Sequence, residues 1–240
     1  MIDLLIPCYN EDKNIKKLIN EWKTIVSDNK KIFVHFIDNG STDNTSKILR
    51  NEISTYNSEN INLISIPQNF GYGNGIKEGI KQTNNNYISW THADLQISSK
   101  DVSTVIFKYL SLQNKKEFLF MGKRKDRRPF DKLFTLLMTF LTFIFTRHYL
   151  VDINAQPKIF PRSIIKNIES FPDDFNIDLA LLILAKKNKL KIKYNPLIFQ
   201  KRNFNEAKGG GSLNGKIKLS IATVKFLVTN FLKSFKFWNR

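Results

Sequence analysis

Near the middle of the chain, Tyr87-Ile88-Ser89-Trp90-Thr91-His92-Ala93-Asp94-Leu95-Gln96 joins a short apolar run to three polar side chains spaced by two residues. The run predicts a buried strand, and alternation along an extended chain turns His92, Asp94 and Gln96 towards one place beyond its end. A carboxylate delivered there suits a divalent cation shared with a substrate diphosphate. The cation would offset the charge that grows on a departing phosphate. Taken alone, the same residues also read as an ordinary turn with an incidental acid.

Three more polar segments follow short apolar runs: Pro7-Cys8-Tyr9-Asn10-Glu11, Asp38-Asn39-Gly40-Ser41-Thr42-Asp43, and Gln68-Asn69 with the glycines after it. The elements that must position them read as alternating strands and helices. Strands are expected at residues 2–6, 32–37, 61–66 and 87–90. Helices are expected at 14–26, where Ile15, Leu18, Ile19, Trp22 and Ile25 recur at helical spacing, and at 42–53 and 75–82. Such alternation implies crossovers and a mostly parallel buried sheet, whose ligands sit beyond the carboxyl ends of the strands.

With Asn69-Phe70-Gly71-Tyr72-Gly73 as the third segment, the four motifs in this order resemble those of the family-2 glycosyltransferases, nearest to the polyprenyl- and dolichyl-phosphate sugar transferases. That family reads P-x-Y-N-E, D-D-G-S-x-D, N-x-G-x-G and D-A-D-x-Q, and the likeness runs from residue 1 to about 205. The resemblance implies an α/β fold of the GT-A type: a Rossmann-like, mostly parallel central sheet with helices on both faces. Residues 1–120 would be its nucleotide-binding half and 121–205 its acceptor half. It implies direct displacement with inversion, from a UDP- or GDP-sugar to a polyprenyl phosphate or lipid-linked glycan, assisted by Mn²⁺ or Mg²⁺. A catalytically silent scaffold of the same fold is the alternative.

Residue roles follow from the same resemblance. Pro7, Tyr9, Asn10 and Glu11 would line the base and ribose pocket, with Ile37 and Asp38 against the nucleoside. Asn39 stands where the family often has a second acid, and its amide oxygen can accept the same hydrogen bond. Asn69 and Gly71 would complete the nucleotide site, and Ala93, Asp94 and Gln96 the metal and diphosphate site. His92 replaces the usual Asp. It reads as a third metal ligand, a hydrogen-bond donor to diphosphate or sugar, or structural filler. Arg124 would face diphosphate or acceptor, and Asp152 would belong to a segment closing over the donor sugar, with Gln156 in place of a small residue. Asp178 would be an acid near the acceptor, or simply a first-turn acid of a helix. Arg202, assisted by Lys208, would neutralise phosphate.

Charge sets the two halves apart. The net charge is +17, and residues 1–120 carry 14 Lys/Arg against 13 Asp/Glu, whereas residues 121–240 carry 24 against 8. A basic half calls for a polyanionic partner. Its charge is largely lysine beside Phe/Leu faces, including the basic loop expected at 122–128. That suits an anionic membrane surface and not nucleic acid, which would favour arginine interleaved with aromatics in a groove. Residues 133–146 are apolar except for Thr135, Thr139, Thr142 and Thr146, one helical stripe. Fourteen residues of helix span about 21 Å, short of the ~30 Å of a bilayer core, so this reads as a buried or interfacial helix. A further helix is expected at 177–186 and a lysine-rich strand at 189–195.

Gly209-Gly210-Gly211-Ser212 reads as a linker, setting residues 206–240 apart as a basic amphipathic segment. There Lys218, Lys225, Lys233 and Lys236 fall opposite Ile217, Ile221, Val224, Phe231, Phe235 and Trp238, the pattern of a helix in the headgroup plane. This segment is expected to anchor the protein from outside the catalytic core. A single cysteine, Cys8, excludes an internal disulfide. The first residues show no basic region followed by a long apolar run. A cytoplasmic protein, peripherally associated with the inner membrane face, is expected.

Overall fold

The computed structural model describes residues 1–56, 58–125, 129–200, 202 and 213–238, the side chains of 129–131, 213 and 233–238 excepted. Arg127, Arg128, Lys208, the glycine run at 209–211 and the side chains of Lys233, Phe235, Lys236 and Trp238 lie outside the described residues.

Strands and helices alternate through the first half: β1 (Ile2–Cys8), α1 (Asp12–Ser27), β2 (Ile32–Asn39), α2 (Thr45–Tyr56), β3 (Ile61–Ile66), α3 (Tyr72–Lys81), β4 (Tyr87–Trp90) and α4 (Ser99–Leu110). The second half adds β5 (Phe118–Lys125), α5 (Pro129–Thr146), β6 (Lys158–Pro161), α6 (Ile177–Lys187), β7 (Lys191–Ile198) and α7 (Leu213–Trp238). One sheet of seven strands runs β3-β2-β1-β4-β6-β5-β7. β1 to β4 are parallel, β6 is antiparallel to both neighbours, and β5 pairs with β7 in parallel. The expected mostly parallel sheet with helices on both faces is the one observed.

The apolar runs are continuous because both faces are covered. Leu4 and Ile6 pack with Ile15, Leu18, Ile19 and Trp22 of α1 and with Val102 and Ile106 of α4. Leu5 and Ile37 point the other way, towards Ile76 and Ile80 of α3, and Leu179 and Leu182 of α6 lie in the same cluster. The parallel register of β1 with β2 and β4 carries their carboxyl ends to one edge, so the segments after Cys8, Asn39 and Trp90 emerge side by side.

Two expectations about the basic half change in this frame. The basic stretch at 122–128 is not all loop, because β5 continues to Lys125 by pairing Arg124 with Leu197 and Lys125 with Ile198. The C-terminal helix is not held apart from the core. Leu227 is buried in the cluster beneath α6, Phe145 meets Phe231 edge-on at 5.8 Å, and the Lys216 ammonium lies 6.0 Å from the centre of the Phe134 ring. α5 and α7 therefore run side by side in the same direction. No helix among the described residues is long and apolar enough to cross a membrane.

Candidate active site

A cleft of about 850 Å³ opens at the carboxyl edge of the sheet. One wall comes from the end of β1 and the segment after it, with Pro7, Tyr9 and Glu11. Asn39 ends β2 beside it, and Asn69 and Gly71 precede α3. Asn69 Oδ1 accepts from the Gly71 amide at 2.8 Å, and Asn39 Nδ2 donates to the Gly71 carbonyl at 2.9 Å. Gly71 has φ of +121°, and a Cβ there would run into the carbonyl of Asp173, so only glycine serves. Asn39 Oδ1 is buried with no partner among the described residues.

The floor is the segment that follows β4. Asp94 Oδ1 accepts from the Gln96 amide at 3.1 Å, and Asp94 Oδ2 takes Arg202 Nη2 at 2.6 Å. Gln96 holds the returning segment in place, donating Nε2 to the Gln200 carbonyl and accepting from the Gln200 amide at its own carbonyl. His92 tilts against Tyr72, ring centres 5.3 Å apart, and Tyr72 stacks on Phe175 at 4.9 Å. Burial holds the His92 imidazole below its ordinary range, against the pull of the Asp94 and Asp178 carboxylates.

In the same cleft Asp152 gathers Arg124. One carboxylate oxygen accepts from the Arg124 amide at 2.8 Å, and the other from Nε and Nη2 at 2.9 and 2.6 Å. α5 and α7 close the remaining side with Thr135, Met138, Thr139, Lys216, Leu219 and Thr223.

Four of the expected residues lie off the cleft wall. Ile37 is wholly buried in the core, and the Asp38 carboxylate turns back to the Ser41 amide at 3.1 Å. Asn10 bridges to Thr42, its Oδ1 accepting from the amide at 2.8 Å and its Nδ2 donating to the hydroxyl at 3.0 Å. That ties two strand-end loops together. Asp178 lies beneath the cleft. It is 0% exposed, forms an ion pair with Lys158 at 2.9 Å, and accepts from Trp90 Nε1 and Gln156 Nε2. A carboxylate so enclosed cannot meet an acceptor hydroxyl without moving.

The family model described as glycosyl transferase family 2 matches residues 3–136. The chain belongs to that family. Among relatives of this glycosyltransferase, a UDP-N-acetylglucosamine–dolichyl-phosphate N-acetylglucosaminyltransferase of Methanococcus voltae is 28% identical, covering 90% of this chain and 92% of its own. A dolichyl-phosphate β-glucosyltransferase of Trichomonas vaginalis is 23% identical, covering 100% and 76%. Glucosyl-3-phosphoglycerate synthase from Mycobacterium tuberculosis, solved with UDP, superposes with a TM-score of 0.72 at 16% identity over 96% of this chain and 80% of that one. The last likeness is one of fold and confirms the GT-A architecture.

The donor set beyond β4 is spare. No group of three or more His, Cys, Asp or Glu that could hold a metal ion occurs among the described residues. Arg202 already engages Asp94 Oδ2 at 2.6 Å and Gln96 Oε1 at 3.5 Å, so a divalent cation held by Asp94, with His92 in the same cleft, would take most of its ligands from a diphosphate and water. Residues missed in the sequence are Tyr72, Phe175, Phe199 and Gln200 at the cleft, and Lys158 below it. Tyr72 and Phe175 sit 103 positions apart, a stacking no spacing argument reaches.

Proposed function

We propose that this glycosyltransferase passes a sugar from a UDP- or GDP-sugar to a lipid-linked acceptor, a polyprenyl phosphate or a lipid-linked glycan, at the cytoplasmic face of a membrane. The observation that carries this reading is that Asp94 with Arg202 and Asp152 with Arg124, two carboxylate–guanidinium pairs, line the same cleft. That arrangement offers one carboxylate for a cation and two guanidiniums for phosphate oxygens in a single cleft. The names of the archaeal and protist relatives, both dolichyl-phosphate sugar transferases, support the lipid-linked acceptor.

In this reading residues 1–120 hold the nucleotide. Tyr9 offers a ring face, and Asn39 Oδ1 is a buried acceptor awaiting a donor from the base. Arg202 and Arg124 bind and orient the phosphates, while Asp152 keeps the Arg124 fork aimed. A divalent cation on Asp94, when bound, offsets the charge of the leaving nucleoside diphosphate. The anomeric carbon–oxygen bond to that diphosphate breaks as an acceptor oxygen attacks from the opposite face, which inverts the configuration. A phosphate acceptor arrives ionised and needs no general base, which agrees with Asp178 being sealed below the cleft. Cys8 lines the cleft, but burial, reinforced by Glu11 and Asp38, pushes its thiol well up, so it is no nucleophile.

Thermal unfolding with UDP, GDP and their sugars, each with and without Mn²⁺, tests this. A cognate nucleotide at a hundred times its dissociation constant stabilises by about 2.7 kcal/mol. Neither nucleotide shifting the transition, with or without metal, would sink the reading.

A further inference from the structure

α5 is amphipathic the wrong way round for a helix bathed in water. Its threonines face inward: Thr139 and Thr142 are buried, and Thr135 and Thr139 line the cleft. Its outward face presents Leu133, Leu136, Leu137, Phe140, Phe143 and Ile144, with Leu136 at 61% and Phe140 at 59% exposure. Beside it, α7 exposes Ile217, Ile221, Val228 and Leu232 at spacings of 4, 7 and 4, so two apolar stripes lie next to each other. Large apolar side chains exposed together on two adjacent helices mark a docking face. Exposed cations border it, Lys132 and Arg147 at the ends of α5 and Lys218 and Lys225 along α7.

We infer that α5 and α7 together form a monotopic membrane face, seated at the headgroup–acyl boundary of an anionic leaflet. The inference rests on the lipid-linked acceptor proposed above and assigns the surface that meets the lipid. α5 becomes the principal apolar element, where the sequence pointed to the C-terminal segment. Charge decides between occupants. A second copy docking by the same face would set these cations against their own equivalents, whereas an anionic leaflet complements them. At 18 residues α5 spans about 27 Å and lies along the surface instead of crossing it. The inner sides of the same two helices carry Thr135, Met138, Leu219 and Thr223 into the cleft, so the cleft rim sits at the leaflet where a lipid-borne phosphate arrives.

The test is co-sedimentation of the full chain with vesicles of phosphatidylcholine alone and of an equal mixture with phosphatidylglycerol. Leu136→Asp/Phe140→Asp and Lys218→Glu/Lys225→Glu are compared with the parent, and UDP- and GDP-induced thermal shifts are measured on all three. The parent is expected to partition onto anionic vesicles. The apolar variant should bind about tenfold more weakly or worse, and the charge variant should lose its preference for phosphatidylglycerol. Nucleotide shifts should stay at parent values in both. If the double aspartate variant is unfolded, Phe140→Ser alone must still weaken partition. Sedimentation of the apolar variant at the parent level, or a parent that stays in the supernatant, overturns the inference. So does a parent dimer that this variant dissociates in the absence of vesicles. Vesicle binding as expected with no nucleotide shift in the parent leaves the membrane face standing and defeats the functional reading instead.

Discussion

Lys158 Nζ lies 2.9 Å from an Asp178 carboxylate oxygen with both side chains wholly shielded from solvent. Burial pulls the lysine down from its ordinary range and Asp178 pulls it back up, so the pair stands or falls together. Removing one partner of such a pair leaves an uncompensated charge and costs about 3–5 kcal/mol. Asp178→Asn and Lys158→Met are each expected to destabilise by that order. The double variant should fall short of the summed loss by about 2 kcal/mol, because with both charges gone neither is left buried and unpaired. Urea unfolding of the four proteins measures the coupling. Additive losses would show that the charges do not depend on each other.

Asp94 is buried and paired, not freely exposed as a strand-end acid would be, so its replacement touches stability as well as chemistry. Asp94→Asn weakens the contact with Arg202 and is expected to cost about 1–3 kcal/mol while leaving the fold intact. Transfer should drop by roughly two orders of magnitude or more, and the nucleotide-induced thermal shift with Mn²⁺ should shrink. Parent-level turnover by the folded variant would remove Asp94 from the metal and diphosphate site.

The strand-end motifs were legible because a parallel sheet brings carboxyl ends to one edge wherever the loops lie in sequence. Pro7, Tyr9, Glu11, Asn39, Asn69, Gly71, Asp94, Gln96 and Arg202 all reach one cleft for that reason. α4 could have been read too, since Ser98 accepts from the Asp101 amide at 3.0 Å and reaches its carboxylate at 2.8 Å, a serine and an acid at capping spacing. β6 was not legible: four residues containing Lys158 and Pro161 carry no strand signature, and only the neighbours on both sides fix them. Asp178 misled because its partner lies twenty positions earlier on another element, and a helix's first-turn acid looks the same whether it faces solvent or a buried lysine. The threonine stripe of α5 marked one face of a helix, but periodicity cannot say which face turns inward.

At the opposite end of the sheet, Asp3 accepts from the Asn85 amide and side chain at 2.8 Å and from Arg162 at 3.0 Å, and contacts His35 at 2.9 Å. Burial raises the Asp3 carboxyl, but the hydrogen bonds from His35 and Asn85 outweigh it and hold the group below its usual range. A carboxyl depressed in the folded state contributes stability above its unfolded pKa of about 3.9, and that contribution is lost as pH falls through the folded value. Asp3→Asn is therefore expected to be less stable than the parent at neutral pH, and the two should converge below about pH 4. Urea midpoints across this range measure it. A constant gap at all pH values would exclude the carboxylate's charge as the cause. Nucleotide binding, at the other edge of the sheet, should be unaffected.

His92 discriminates between metals. A neutral imidazole is a poorer ligand for Mg²⁺ than for softer ions, and a carboxylate suits Mg²⁺ well. His92→Asp is expected to keep transfer activity and to raise the ratio of rates in Mg²⁺ to Mn²⁺ several-fold. Activity in matched metal series, with Mn²⁺ titrated calorimetrically in the presence of UDP, measures the shift. An unchanged metal profile places His92 outside the coordination sphere and leaves it packing against Tyr72.

Leu227 decides whether the C-terminal helix belongs to the catalytic body. Its side chain is 1% exposed in the cluster that also holds Ile177, Leu181 and Leu182 of α6, and Phe226 packs against the same cluster. A separable anchor beyond a flexible linker would have no such residue, and truncating one of its apolar side chains would leave the unfolding of the rest unchanged. Here Leu227→Ala opens a cavity in a shared core and is expected to cost about 2–5 kcal/mol. It also loosens the helix that brings Lys216 and Thr223 to the cleft wall, so the apparent affinity for nucleotide-sugar or acceptor should fall together with stability. Leu232, exposed on the opposite side of the same helix, serves as control, since Leu232→Ala should change global stability by no more than about 0.5 kcal/mol. Equal, negligible effects of the two substitutions would show that α7 is an appendage after all, and that the cleft is complete without it.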